Sequence, residues 1–146
     1  MCGNKRNLIL VTGASGYVGG RLLRALEDRR HPIRCLVRRP HVLQDRIAPE
    51  TELHQGDARD PEALTQALKN VHTAYYLIHS LGAGGNFEEI EEQAAQRFGE
   101  AAQKAGVKRI IYLGGLCQEA HTRVSPDLRS RFRVGECVLA SGVPVT

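Results

Sequence analysis

Nowhere in the 146 residues does an apolar run approach the ~18 consecutive residues that a membrane span needs. Signal-peptide grammar is missing too: residues 1–6 are polar, and the short apolar run at 8–12 ends in glycine. No membrane partner is therefore expected, and the expected compartment is the cytoplasm. Cysteine is sparse. Cys2, Cys35, Cys117 and Cys137 are scattered with no CxxC spacing, which excludes a zinc knuckle or a redox pair and predicts reduced thiols that act as small hydrophobes. Charge of one sign is lacking as well, since 20 Lys and Arg against 16 Asp and Glu leave a net charge of only +4. The arginine clusters at 29–30, 38–39 and 129–133 are separate in sequence and belong to no nucleic-acid module, so nucleic acid is not an expected partner and no metal site is expected. There are no repeats, low-complexity tracts or linkers. What is present is 42% apolar content in a length that allows one domain with a real core, residues 1–146.

Strand and helix patterns alternate along the chain. Residues 8–11 form a continuous apolar run, as a parallel strand covered on both faces requires. Val18, Leu22, Ala25 and Leu26 then repeat at helical spacing until Pro32 closes the segment. Strands are predicted at 33–37, 52–55, 71–78 and 109–113. Asp60-Pro61 reads as a helix cap followed by a first-turn proline. The longest helix places Phe87, Ile90, Ala94, Phe98, Ala101 and Ala105 on one face, with Glu88, Glu89, Glu91 and Glu92 complementing the dipole at its start. Gly106 supplies its left-handed cap. Ser125-Pro126 opens a last helix running to about Ser141, where Gly142 stops it. This alternation implies an α/β class, a doubly wound parallel sheet with right-handed crossovers. Residues 143–146 read as the opening of a sixth strand at which the chain stops. The expectation is a truncated sequence or a fragment, lacking a C-terminal substrate region and leaving the fifth strand's neighbourhood unpaired.

The main functional signal is VTGASGYVGG at 11–20, where Gly13, Gly16 and Gly19 recur every third residue between a buried strand and a helix. A dinucleotide needs this arrangement: the first glycine for the tight turn, the second for close backbone approach to a pyrophosphate, the third for helix–strand packing. The helix N-terminus then offers unpaired N–H groups and partial positive charge to the anion. The predicted cradle is Gly13, Ala14, Ser15, Gly16, Tyr17, Val18 and Gly19, with Ser15 able to add a hydroxyl donor.

TGxxGxxG resembles the extended and atypical branches of the short-chain dehydrogenase/reductase superfamily. CLVRRP at 35–40, QGDARDPEAL at 55–64 and ASGVPVT at 140–146 resemble its NmrA-like, NAD(P)H-binding subgroup, in that family's order and over nearly the whole chain. AYYLIHSLG at 74–82 and LRSRFRVGE at 128–136 are similar to bacterial oxidoreductases of the same superfamily. The resemblance implies an NAD(P)-binding Rossmann fold.

The end of the second strand chooses between dinucleotides. An acid there would accept from the ribose 2′-hydroxyl of NAD, whereas arginine pairs with the extra phosphate of NADP. Arg38 and Arg39 stand there with no acid, so NADP is the expected cofactor, with NAD possible. The resemblance further places Asp57, and Ala58 through its backbone, at the adenine pocket. Asp57 equally suits capping a turn. His79 and Ser80, after the fourth strand, would lie along the cofactor's ribose and diphosphate edge, although a single histidine there also suits a structural role.

Carbonyl-reducing members of the superfamily use Tyr-xxx-Lys and a serine at the end of strand five. This chain departs from that set. Gly114-Gly115 stands at the serine, and Leu128 and Phe132 stand at the tyrosine and lysine, so catalytic residues are unassigned. Two readings stay open. One is that the full-length protein is an NADP-dependent oxidoreductase or isomerase acting on an unidentified small molecule, its acid–base groups supplied by a C-terminal region and this chain alone expected to be inactive. The other is a non-catalytic NADP(H) sensor or an assembly protein that works through a protein partner.

Overall fold

The computed structural model describes residues 7–79, 85–115 and 125–146. Strands β1 (Leu8–Thr12), β2 (Ile33–Val37), β3 (Glu52–Gln55), β4 (Val71–Tyr76) and β5 (Arg109–Tyr112) form one sheet of order β3-β2-β1-β4-β5, parallel at every pairing. Helices α1 (Tyr17–Asp28), α2 (Pro61–Ala67), α3 (Phe87–Lys104) and α4 (Pro126–Leu139) connect and cover it. The chain steps from β1 outward through β2 to β3, then crosses back to β4 and proceeds the other way. The direction therefore reverses between β1 and β4, the place where open α/β sheets bind ligands.

Period-two alternation divides the strand residues between two cores. Ile9, Val11, Ile33, Cys35 and Val37 pack with Leu23 and Leu26 of α1. Leu10, Leu36, Ala74, Tyr76 and Ile110 face the other way, onto Leu64 of α2, Phe98 of α3 and Val134 and Val138 of α4. Phe98 is fully buried with its ring 4.8 Å from that of Tyr76, a burial that contributes about 1.5–3 kcal/mol. Cys35 is a free thiol in this core, and burial pushes its pKa up to about 12, which keeps it a protonated hydrophobe. Among the described residues no helix is long and apolar enough to cross a membrane.

Local signals end the helices where they were expected. Asp60 accepts from the Glu62 N–H, Ser125 accepts from the Leu128 N–H, and Gly106 and Gly142 have positive φ. The face of α3 differs from the expected one. Its buried residues are Glu91, Ala94, Ala95, Phe98, Gly99 and Ala102, while Ala105 is exposed and Ile90 retains 42% of its accessible surface. The helix serves two neighbours, the sheet and α4. The shared face is therefore rotated toward α4, where Ser130 Oγ donates to the Glu91 carboxylate and Gly99 lies against Ser141. The expectation of an unpaired β5 edge is also corrected. Val145 forms a parallel bridge to Ile110, and the Ile110 and Tyr112 N–H groups donate to the carbonyls of Pro144 and Thr146 at 2.9 Å.

Candidate functional site

At the β1/β4 reversal the two strand ends are locked by one hydroxyl. Thr12 Oγ1 donates to the Tyr75 carbonyl at 2.8 Å and accepts from the Leu77 N–H at 3.1 Å. Thr12 is fully buried, so this pair of bonds sets how far apart the strands open. Immediately afterward Gly13 turns with φ +70, and a Cβ there would stand 2.6 Å from the Leu77 carbonyl oxygen. Gly19 is tighter still, since its Cβ would meet the Gly13 carbonyl oxygen at 2.1 Å. Both positions require glycine, one for conformation and space, the other for space alone.

The turn delivers α1 with an open N-terminus. Gly16 caps it with no side-chain hydrogen bond, and no acid lies in its first turn. The other helices differ: α2 and α4 have side-chain caps and first-turn acids, and α3 starts with Glu88 and Glu89. Of these four helices α1 alone begins with neither a side-chain cap nor a first-turn acid, which leaves its N–H groups and the positive end of its dipole to an anion. Ser15 and Gly16 are exposed at this mouth.

A cleft of about 540 Å³ runs from this turn across the carboxyl ends of the strands. It brings together Gly13, Ala14, Ser15, Gly16, Arg38, Asp57, Ala58 and His79 from the predicted set. Tyr17, Val18 and Gly19 do not line it: the first two are exposed on the first turn of α1, and Gly19 is buried behind the loop. Arg39 is exposed just ahead of the 3₁₀ turn Pro40–Val42 and is not part of the wall. Ser80 lies outside the described residues.

At the β2/β3 end Arg38 shares the wall with Arg59, a residue that the sequence reading passed over. Arg59 grips Asp57: its Nη2 stands 2.7 Å from Oδ2, and its backbone N–H donates to Oδ1 at 2.9 Å. The Arg59 hydrogen bonds hold the Asp57 carboxyl below its usual pKa, with Arg38 adding a smaller pull in the same direction. Asp57 thus closes a turn and lines the cleft at once. The signal for Arg59 was present in QGDARD, two positions after Asp57.

At the β4 end the wall is formed by Tyr76, Leu77, Ile78, His79, Ile90, Glu91 and Ala94. His79 is half-buried, its Nε2 is buried without a hydrogen-bond partner, and its ring centroid is 6.3 Å from that of Tyr112. Burial, and next the Arg131 charge, lower its pKa. Tyr112 is engaged elsewhere: its hydroxyl donates to the Arg131 carbonyl at 2.8 Å, and burial raises its pKa to about 12. Leu128, in the place of the superfamily's tyrosine, is packed against Gly115. Glu91 is one of the four glutamates that crowd the start of α3, yet its spacing from Ala94, Ala95 and Phe98 is that of the buried face. No group of described residues could hold a metal ion.

An acid-free helix start at a sheet reversal, behind glycines that admit no Cβ, defines a doubly wound domain with a dinucleotide-type anion site. The chain belongs to the NAD(P)H-binding family, whose model matches residues 13–135, in keeping with its short-chain dehydrogenase/reductase resemblance. It is 32% identical over 139 residues to the (4-alkanoyl-5-oxo-2,5-dihydrofuran-3-yl)methyl phosphate reductase of Streptomyces griseus, covering 95% of this chain and 45% of that protein. It is 30% identical over 114 residues to a 3 beta-hydroxysteroid dehydrogenase/Delta 5→4-isomerase of Mycobacterium tuberculosis, covering 71% of this chain and 30% of that one. Among solved structures, the NADPH-dependent quinone oxidoreductase of Escherichia coli complexed with NADPH superposes with a TM-score of 0.75 at 28% identity, covering 94% and 46% of the two chains. The Citrobacter sp. triphenylmethane reductase complexed with NADP(H) gives 0.77 at 25% identity, covering 94% and 47%. The chain thus spans less than half the length of these relatives. It is an NAD(P)H-binding domain.

Proposed function

We propose that this chain is the cofactor-binding part of a cytoplasmic NADP(H)-dependent reductase that acts on a small carbonyl compound or a related acceptor. The observation that carries the reading is the uncapped, acid-free start of α1 opening into the same cleft as two arginines. In this reading the backbone N–H groups of residues 13–18 hold the pyrophosphate. Arg38 pairs with the 2′-phosphate, with Arg39 at the margin. Asp57 and Ala58 border the adenine, while His79 lies along the cofactor's ribose and diphosphate edge. In a protein of the relatives' length, the further residues would roof the cleft and enclose the substrate.

The cofactor preference has a direct test. Titration by nucleotide fluorescence is expected to give at least tenfold tighter binding of NADPH than of NADH. Arg38→Asp should narrow or reverse that ratio, because a carboxylate repels the phosphate and accepts from a free 2′-hydroxyl. Equal affinities in the unmutated chain would end the NADP assignment.

A second reading has one observation in its favour: Leu128 and Phe132 stand where the superfamily's tyrosine and lysine would be. A dinucleotide sensor needs no such pair. Sustained loss of absorbance at the NADPH band with aldehydes, ketones or quinones separates a reductase from a sensor, which binds without consuming the cofactor.

A further inference from the structure

We propose that His79 exchanges a proton with the oxygen of a carbonyl or alcohol substrate, the task for which this chain lacks the superfamily's tyrosine and lysine. The inference rests on the dinucleotide reading above. Three structural facts carry it.

The first is place. His79 follows β4 directly and lines the same cleft as the Gly13–Gly16 turn. Arg38 and Asp57 occupy the opposite end, beyond β2 and β3. A dinucleotide with its pyrophosphate at the turn and its 2′-phosphate at Arg38 has its reactive ring on the β4 side.

The second is the free nitrogen. Among the described residues Nε2 is buried without a partner, and an unsatisfied buried polar atom costs stability unless a ligand satisfies it. A pull from the Leu113 backbone favours the protonated ring, and with Nε2 unpartnered it falls to Nδ1. With Nδ1–H on a carbonyl, the lone pair of the neutral ring sits on the unpartnered Nε2 of a residue that lines the cleft.

The third is the surroundings. The charged and titratable groups facing the ring are Glu91 from α3, Arg131 and Asp127 from α4, and Tyr112 from β5. Glu91 accepts from Ser130, and the Tyr112 hydroxyl is bonded to the Arg131 carbonyl. Arg131 stays charged and cannot trade protons. Among the described residues at this end of the wall, His79 is the one titratable side chain with an unpartnered ring nitrogen.

The step balances simply. In reduction, the carbonyl carbon receives a hydride from the reduced dinucleotide and the carbonyl oxygen takes the Nε2 proton of imidazolium. The products are alcohol, oxidised dinucleotide and neutral His79, which water reprotonates. In oxidation the neutral Nε2 takes the hydroxyl proton.

The test uses the full chain with NADPH and 9,10-phenanthrenequinone or benzaldehyde as probes. His79→Gln and His79→Asn are compared with the unmutated protein, with thermal unfolding as the check on folding. Expected is a fall in kcat of about a hundredfold, larger than any accompanying loss of NADPH affinity. The unmutated chain's kcat/KM for reduction should decline as pH rises through the His79 pKa, a limb that both variants lose. Independently of turnover, 15N spectra of the histidine rings should show His79 neutral with Nε2 unprotonated, and its signals should move on adding NADPH. Variants that keep the rate or the pH limb, or a neutral ring protonated at Nε2, overturn the proposal. NADPH binding without any consumption by the unmutated chain overturns it too, yet leaves the cofactor reading standing. Failure to bind NADPH at all instead removes the cofactor reading on which it rests.

Discussion

Gly19 is the residue whose replacement is most constrained by geometry. A Cβ at 2.1 Å from the Gly13 carbonyl oxygen cannot be absorbed by a side-chain rotation, because the obstacle is backbone. Gly19→Ala must push α1 away from the turn, and overpacking of this kind costs about 1–3 kcal/mol. Urea unfolding is expected to show that loss, and the displaced N–H groups should weaken NADPH binding by at least tenfold. Stability and affinity falling together would mark the α1 start as part of the anion site. A loss of stability with unchanged affinity would move the site elsewhere. His79 adds a pH signature at the same scale. Burial and Arg131 lower its pKa from the ordinary 6.5, so below that value the unfolded chain binds a proton more readily than the folded one. Stability attributable to His79 is therefore complete above about pH 6.5 and diminishes as pH falls toward the folded pKa. Comparing urea midpoints at pH 7.5 and 5.5, the unmutated chain should lose more on acidification than His79→Gln. Equal losses would mean that the ring is solvated.

At the scale of elements, β2, β3 and the end of α2 are joined by one side chain. Arg34 Nε donates to Glu52 at 2.7 Å, and its Nη1 donates to the carbonyls of Ala67 and Lys69 at 2.8 Å each. Those carbonyls end a short helix that has no basic residue in its last turn, so the guanidinium supplies what α2 lacks. Arg34→Met keeps the hydrophobic stem and removes the donors. The expected cost is about 1–3 kcal/mol, read from urea unfolding, most of it from stranded carbonyls instead of the half-exposed ion pair. A change below about 0.5 kcal/mol would mean that water replaces the guanidinium without penalty. Elements of this kind are where the sequence was most readable. Buried parallel strands reveal themselves as short apolar runs, and Asp60-Pro61, Ser125-Pro126, Gly106 and Gly142 announce helix ends by chemistry that acts within a few residues. The face of α3 was less readable, since its orientation depends on α4, whose docking through Ser130 and Glu91 joins residues 39 apart. The same limit applies to the cleft. Its glycine turn is a local motif whose strand–turn–helix geometry was legible, though Tyr17, Val18 and Gly19 stand off the wall, whereas Arg59 in place of Arg39 and the inward Glu91 depend on how distant segments converge.

For the whole molecule, the design places an anion-seeking turn at the point where the sheet reverses, and everything else holds that point open. Thr12 bridges the strand ends, two cores clamp the sheet from either face, and residues 144–146 extend it past β5. A ligand that bridges the two halves of such a sheet contacts segments from both cores, so its binding free energy adds to the stability of the entire fold. At a free concentration a hundred times its Kd, a ligand specific for the folded state adds about 2.7 kcal/mol. For a chain of this size that corresponds to a rise in Tm on the order of 5–10 °C. Thermal unfolding followed by circular dichroism should show this rise with NADPH, a smaller one with NADH at the same concentration, and an intermediate one with 2′,5′-ADP, which carries the phosphates but not the reactive ring. In Arg38→Asp the advantage of NADPH should shrink while the response to NADH persists. A shift from NADPH that matches inorganic phosphate at equal concentration would mean that the turn binds an isolated anion, and that the cleft beyond it contributes nothing to recognising a dinucleotide.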